Sequence, residues 1–170
     1  MRYRISHPMN ADADTYWNKI FFDKEYNDRL FKDHLRFSKF NVLEIRKEAD
    51  GTVHKRVDCN PGIELPGAVK RVIGDLSGYL EEGVFDPIAK RYRANITPGA
   101  AADKIRTIIE IFVETSASGR SERVVQVDNE VKIFGVGRVA EKFLEQQLRS
   151  TYAAAAEFTN RWIAEKGLGS

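Results

Sequence analysis

Apolar and polar residues alternate at the start of the chain, then recur at helical spacing, and then alternate again. In residues 2–7, Tyr3, Ile5 and His7 share one face and Pro8 follows, which predicts a first strand. Asn10 or Asp12 and then Asp23 are suited to cap helices after it. Two groups of residues at helical spacing predict two short helices: Tyr16, Trp17, Ile20 and Phe21, then Tyr26, Leu30, Phe31 and His34.

Six further strands are predicted in the middle of the chain. Asp50-Gly51 is a strong hairpin signal, and Asp86-Pro87 and the segment SASGRS mark two more turns. The last of these strands alternates cleanly, with Val125, Val127, Val131 and Ile133 on its inward face. The predicted strands cover residues 37–48, 52–59, 78–85, 88–96, 104–115 and 123–133.

A long helix is predicted over residues 138–166, where Leu144 and Leu148 belong to one apolar stripe and Gly167 ends the pattern. A helix of about 29 residues is some 40 Å long. The order is therefore β-α-α-β6-α, an α+β fold in a single domain of residues 1–170. We expect a seven-stranded, curved antiparallel sheet around the C-terminal helix, with a cavity where side chains do not fill the space.

Two segments add a resemblance to a known superfamily. The order of elements over essentially the whole chain resembles the helix-grip fold of the START-like, or Bet v 1-like (SRPBCC), superfamily. The opening SHPMNADADTYWNKIFFDKEYNDRLF is similar to its polyketide-cyclase-like and START-like members, and ELPGAVKRVIG followed by a paired strand resembles an uncharacterised bacterial branch. The resemblance implies a hydrophobic or lipid-like ligand in a central cavity, and it supplies no catalytic residues.

The insert NPGIELPGAVKRVIG, residues 60–74, interrupts the strands with a short apolar helix. Pro66 is suited to the first turn of that helix, but two turns are not stable alone and need an apolar surface to cover. We expect a lid over the cavity mouth, hinged at Gly62 and Gly74; a fixed covering segment is the alternative. Its inner side is expected to consist of Val69, Val72 and Ile73.

Composition narrows the classes of partner. The apolar content of 42% and the net charge of +2 are typical of a soluble globular domain, and without a long basic run we expect no nucleic-acid partner. The single Cys59 excludes an internal disulfide, and no apolar stretch resembles a signal peptide or a membrane span. We therefore expect a cytoplasmic protein; peripheral membrane contact and the oligomeric state stay open.

No catalytic or metal-binding motif is visible, so we assign no catalytic residue, no metal and no cofactor. Polar residues on inward faces are better candidates: Asn129 and Thr107 each lie between apolar neighbours, and Lys90 and Tyr92 share a predicted face with Ile88. Such groups need a partner, which a ligand head group would supply. The expected ligand-binding residues are Val69, Val72, Ile73, Tyr92, Ile109, Ile111, Val127, Asn129, Val131, Leu144 and Leu148.

Three functions fit this pattern. The first is a non-enzymatic carrier or sensor that binds a hydrophobic small molecule or lipid in the cavity. The second is an enzyme of the cyclase or aromatase type, for which His7, Lys90 or Tyr92 would have to supply the acid or base. The third is a protein-interaction module with a vestigial cavity. A titratable pair facing the cavity would favour the enzyme.

Overall fold

The computed structural model describes residues 1–75 and 78–169, and these residues form one antiparallel sheet of seven strands. The strand order across the sheet is β1-β7-β6-β5-β4-β3-β2, so β1 and β2 are the two edges. The sheet is curved around a long C-terminal helix, which confirms the predicted helix-grip architecture. The strands are β1 (Arg2–Pro8), β2 (Lys39–Lys47), β3 (Val53–Asn60), β4 (Tyr79–Asp86), β5 (Arg91–Pro98), β6 (Ile105–Thr115) and β7 (Ser121–Val131).

Two short helices follow β1, and acidic side chains cap both of them. Helix α1 begins as Ala13–Thr15 and continues as a π-helical turn over Tyr16–Ile20. Helix α2 begins as Lys24–Asp28 and continues as a π-helical turn over Arg29–His34. Asp12 accepts a hydrogen bond from the Thr15 backbone N–H at 2.7 Å, and Asp23 accepts one from that of Tyr26 at 2.7 Å.

The aromatic residues of α1 fill one part of the space that the sheet encloses. Trp17 is central: its ring centroid lies 5.0 Å from those of Tyr16 and Phe21, and 4.6 Å from that of Phe85 on β4. These close edge-to-face and tilted contacts leave no space between the rings. We call this group the aromatic cluster; its members are Tyr16, Trp17, Phe21, Phe22, Phe85 and Tyr92.

The C-terminal helix α4 (Gly137–Lys166) is buried in two separate parts. Gly137 and Ala140 are buried at its start, and Ala155, Phe158, Thr159, Trp162 and Ile163 are buried in its second half. Between Ala140 and Ala155 no residue of the helix is fully buried, although this middle segment still faces the sheet. The helix ends at Gly167, whose φ of +63° is the left-handed conformation of a helix C-cap.

The insert before β4 contains the predicted short helix, α3 (Gly67–Ile73). Val69 is buried against Ile105, Val131 and Ala140, so α3 is held by the ends of β6 and β7 and by the start of α4. Val72 was expected on the inner side, but half of its surface is exposed. A helix of two turns presents only a narrow apolar face, and Val69 and the half-buried Ile73 occupy it.

The predicted face of β5 is corrected at its first residues. The strand begins at Arg91, and Lys90 lies in the preceding turn with a φ of +50°. The Lys90 side chain is exposed and forms an ion pair with Asp14 at 2.7 Å, while Ile88 is almost wholly exposed. Neither residue therefore shares the inward face of Tyr92, because the turn breaks the alternation on which that prediction depended.

Candidate ligand-binding site

A cavity lies between the middle segment of α4 and the concave face of the sheet. Its volume is about 150 Å³, and the aliphatic part of its wall comes from the insert, from β5 and β6, and from α4. Cavities of this size with aliphatic and aromatic walls hold a group as large as benzene. The aliphatic wall residues are Ile63, Leu65, Ile96, Ile105, Ile109, Leu144 and Leu148.

The cavity accounts for the unburied middle of α4. Phe143, Leu144, Leu148 and Tyr152 point towards the sheet from successive turns of the helix and line the cavity. Their spacing is that of one helix face. They are only half-buried because the cavity takes up part of the space between them and the sheet. This apolar face is therefore available for an apolar ligand.

A polar group lies at the wall where the cavity meets the aromatic cluster. Glu81 on β4 lines the cavity, and its Oε1 accepts a hydrogen bond from the Tyr92 hydroxyl at 2.7 Å. The ammonium group of Lys55 on β3 lies 3.6 Å from the same oxygen. The side chains are 5% exposed for Lys55 and 14% for Glu81, so this is a buried ion pair. We call Lys55, Glu81 and Tyr92 the polar triad.

Aromatic rings hold the polar triad in place. The Lys55 Nζ lies 4.8 Å from the ring centroid of Phe21 and 5.7 Å from that of Tyr92, which are favourable cation–π positions. A Cβ atom on Gly83 would collide with the hydroxyl end of the Tyr92 side chain. Glycine at position 83 therefore allows the Tyr92 ring to cross β4 closely enough to reach Glu81.

Burial and the Glu81 charge keep several nearby groups protonated. Burial, and after it the Glu81 carboxylate, raise the pKa of Tyr92 far above its usual value, and the same two causes raise the pKa of Tyr152. Burial is also the main cause that raises the pKa of the Cys59 thiol to about 12. Tyr92 and Tyr152 are therefore hydrogen-bond donors, and Cys59 is not a thiolate nucleophile at neutral pH.

Three residues predicted to bind ligand, Ile109, Leu144 and Leu148, line the cavity. Val69 and Val131 lie in the small core beneath α3, and Ile73 packs against it. Ile111 and Val127 are buried in the main core, and Tyr92 does not line the cavity but bonds to Glu81, which does.

Asn129 is fully buried and accepts a hydrogen bond from the Thr107 hydroxyl at 3.3 Å; Thr107, rather than Asn129, reaches the cavity wall. Val72 is half-exposed and lies on no wall.

Lys55 and Glu81 were missed, although their positions carried a signal. Lys55 lies between Val53 and Val57 on the inward face of β3. Glu81 lies on the same face of β4 as the buried Phe85. A charged residue at an inward position of a strand must find a partner of opposite charge. What the sequence did not show is the pairing of β3 with β4, which brings these two charges together.

The described part of the chain offers no group of three His, Cys, Asp or Glu side chains that would hold a metal ion. Within residues 1–75 and 78–169, no helix has both the length and the apolar character needed to span a membrane. His7 lies beside the buried Arg123, away from the cavity, and His34 contacts the Ala154 carbonyl oxygen on α4 at 3.1 Å. The polar chemistry of the cavity therefore comes from Glu81, from the amides of Asn60 and Gln147, and from hydroxyl-bearing residues.

Residues 4–163 match DUF2505, a family described as proteins of unknown function. Because the match covers most of the sequence, the chain belongs to this family. A comparison with curated protein sequences finds no match.

Solved structures share the fold at low sequence identity. Norcoclaurine synthase from Thalictrum flavum, in complex with dopamine and hydroxybenzaldehyde, superposes with a TM-score of 0.63 at 17% identity, covering 97% of this chain and 87% of that one. The Zhui aromatase/cyclase from Streptomyces sp. R1128 gives 0.58 at 16% identity, covering 95% and 94%. The protein TTHA0849 from Thermus thermophilus gives 0.59 at 15% identity, covering 98% and 99%. The chain thus has the Bet v 1-like helix-grip fold.

Proposed function

We propose that this protein binds a small hydrophobic molecule in the cavity between α4 and the sheet. The observation that carries the proposal is the half-buried middle of α4, where Leu144 and Leu148 each pack against one of the cores and also border an apolar space of about 150 Å³. Open apolar surface inside a fold is costly unless something covers it. A ligand that fills the cavity would remove this surface from water and stabilise the folded chain.

The size of the cavity sets the size of the ligand. A volume of about 150 Å³ holds one ring or a short branched chain, whereas sites for larger ligands are typically about 300–1,000 Å³. A lipid tail would therefore need the cavity to widen. The insert is the segment best placed to allow this, because Ile63 and Leu65 form part of the wall and are not held in a regular element.

The insert also retains the properties of a lid. Gly62 and Gly74 have φ values of +67° and +75°, which glycine adopts without strain. Between them, α3 is fixed to the rest of the chain mainly through the buried Val69. We propose that residues 62–74 swing about these two glycines to admit a ligand, while the segment of Ile63 and Leu65, rather than α3 itself, covers the cavity.

Ligand binding is tested by what the purified protein carries. Native mass spectrometry, followed by organic extraction, should find a bound small hydrophobic molecule in the wild-type protein. Leu148→Trp should fill the cavity and abolish the bound species, and Val139→Trp, on an exposed position of the same helix, should not. An empty wild-type protein that also fails to bind added toluene would contradict the proposal.

The lid is tested by hydrogen exchange. Residues 62–74 should exchange faster than the flanking β3 and β4 in the empty protein and should gain protection when toluene is added. Slow exchange in both states, equal to that of β3, would instead show that the insert is a fixed cover.

A second candidate function is catalysis of the cyclase or aromatase type, which the polar triad favours. Lys55 and Glu81 are a titratable pair with the Glu81 carboxylate at the cavity wall, as a general base requires. His7, Lys90 and Tyr92 are less suited, since His7 and Lys90 lie away from the cavity and Tyr92 is a donor to Glu81. The test is deuterium exchange of the methyl protons of acetophenone in D₂O: wild type should accelerate it and Glu81→Gln should not.

A further inference from the structure

The Glu81 carboxylate has capacity for at least one more hydrogen bond. Tyr92 and Lys55 both contact Oε1, at 2.7 Å and 3.6 Å. Within residues 1–75 and 78–169, Oε2 accepts no hydrogen bond from the chain. Glu81 lines the cavity, whereas Lys55 and Tyr92 do not. The cavity therefore meets an acceptor oxygen, and the positive charge that balances the carboxylate lies behind it.

Tyr152 on α4 supplies the complementary group. It lines the same cavity, and its hydroxyl makes no hydrogen bond to the described residues. Glu81 and Tyr152 line the same cavity from opposite elements, β4 and α4, and the Glu81 charge is one cause of the raised pKa of Tyr152. The cavity wall thus offers an acceptor at Glu81 and a donor at Tyr152. The other polar lining residues are Asn60, Tyr79, Thr107, Gln147 and Thr151, and the rest of the wall is aliphatic or aromatic.

We propose that the ligand is a small neutral molecule with a hydroxyl group, an alcohol or a phenol, whose O–H donates to Glu81 and whose oxygen accepts from Tyr152. The inference rests on the proposed ligand-binding function and adds the chemical class of the ligand. A hydroxyl is suited to both wall groups because it is at once a donor and an acceptor.

Other head groups satisfy the wall less well. A carboxylate would face the Glu81 carboxylate without direct access to Lys55, so free fatty acids and benzoate should be rejected. An ammonium group has no acceptor lone pair for Tyr152, competes with Lys55 for Glu81, and costs far more to remove from water than a hydroxyl does. A hydrocarbon leaves Glu81 Oε2 and the Tyr152 hydroxyl without a partner among the described residues.

Three ligands of similar size test the proposal: toluene, its isostere phenol, and benzoate. Affinities for the chain of residues 1–170 are measured by ligand-observed NMR and isothermal titration calorimetry. We expect phenol to bind about tenfold more tightly than toluene, as one net hydrogen bond to a charged group allows. Benzoate should bind more weakly than either.

Variants assign this preference to the wall groups. Glu81→Gln and Tyr152→Phe should each reduce the preference for phenol severalfold while toluene still binds. Glu82→Gln is the matched control, since the neighbouring Glu82 lies on the outer face of β4 and pairs with Arg56 at 3.0 Å. If Glu81→Gln does not fold because Lys55 is left unbalanced, Lys55→Met combined with Glu81→Gln removes both charges and should give the same loss.

The outcomes separate the two proposals. Equal binding of toluene and phenol, or benzoate binding as tight as that of phenol, overturns the hydroxyl assignment and leaves hydrophobic binding in place. A phenol preference that survives in Glu81→Gln and Tyr152→Phe also overturns it. Failure of toluene and phenol alike to bind overturns the proposed function together with this inference.

Discussion

The two halves of α4 face the same curved sheet but meet different interiors. Under the second half, Phe158 and Trp162 are buried in the core to which the aromatic cluster belongs. Under the first half, Leu144 and Leu148 face the cavity, and the nearest cover is the segment of Ile63 and Leu65. The polar triad lies where these two regions meet.

The two halves of α4 differ in the side chains that other elements place against them. Helices α1 and α2 bring large rings to the second half of α4, and aromatic side chains bury more surface than any others. The apolar side chains that the insert brings to the first half are aliphatic, and its helix has only two turns. A cavity remains there, although Phe37, Tyr79, Phe143 and Tyr152 also line it, and among the described residues the one charged side chain in its lining is that of Glu81 on β4.

The largest expected effect is in the aromatic cluster. Trp17→Ala should reduce the free energy of unfolding by about 3–5 kcal/mol, because it leaves a void among rings that cannot collapse. Denaturant unfolding measures the change. Phe134→Ala is the control: Phe134 is fully exposed, so its truncation should change stability by only a few tenths of a kcal/mol. A small loss at Trp17 would show that this region is not the better packed of the two.

Gly83→Ala should cost about 1–3 kcal/mol, because the new methyl group collides with the Tyr92 side chain and moves it from Glu81. Gly67→Ala is a matched control, since a Cβ at Gly67 meets open space and its φ is not positive. Adding Tyr92→Phe to Gly83→Ala removes the atom that lies closest and should restore part of the stability. Thermal unfolding of the four proteins tests this, and an unchanged melting temperature in Gly83→Ala would refute the close contact.

Leu148→Ala should reduce the free energy of unfolding by less than about 2 kcal/mol, below the usual cost of Leu→Ala in a packed core. Leu148 already borders empty space, so its truncation enlarges the cavity without opening packed material. Leu144→Ala should behave alike. A loss of about 4 kcal/mol at either site, measured by urea unfolding, would show that the cavity closes around these residues in solution.

The smallest effect concerns Cys59, a reporter beside the cavity. Burial raises the pKa of its thiol from 9.0 to about 12, so in the native protein the reactive thiolate should form only as the pH approaches 12. Iodoacetamide at pH 8 should therefore modify the folded protein far more slowly than the urea-unfolded one. Toluene should slow the native reaction further if opening of the insert exposes Cys59, and rapid labelling of the native protein would contradict the assigned burial.

Sequence patterns located every strand to within about three residues, because alternation and helical spacing are local properties of the chain. The departures have local causes as well. Residues 88–90 looked like the start of β5, but the Asp86-Pro87 turn extends through Lys90. Val72 looked like part of the inner side of α3, but only one narrow face of that helix is covered.

The residues of the candidate site were predicted less accurately than the strands. The alternation along β6 and the stripe along α4 pointed to Ile109, Leu144 and Leu148, which do line the cavity. The same patterns also predicted Val127, Ile111 and Val131, which lie in packed core. An inward residue beside a cavity and one in packed core have the same pattern in the sequence. Whether such a residue borders the cavity depends on the side chains that lie opposite it, and these come from other elements of the chain.

By itself, then, the sequence determined the order of the elements, the antiparallel sheet and the long helix across it, since each depends on periodicity within one segment. Only the tertiary structure decided where the cavity lies and that Lys55, Glu81 and Tyr92 meet at its wall. The reason is that residues 55, 81 and 92 belong to three different strands, and their proximity depends on the register of β3, β4 and β5, which no single segment encodes.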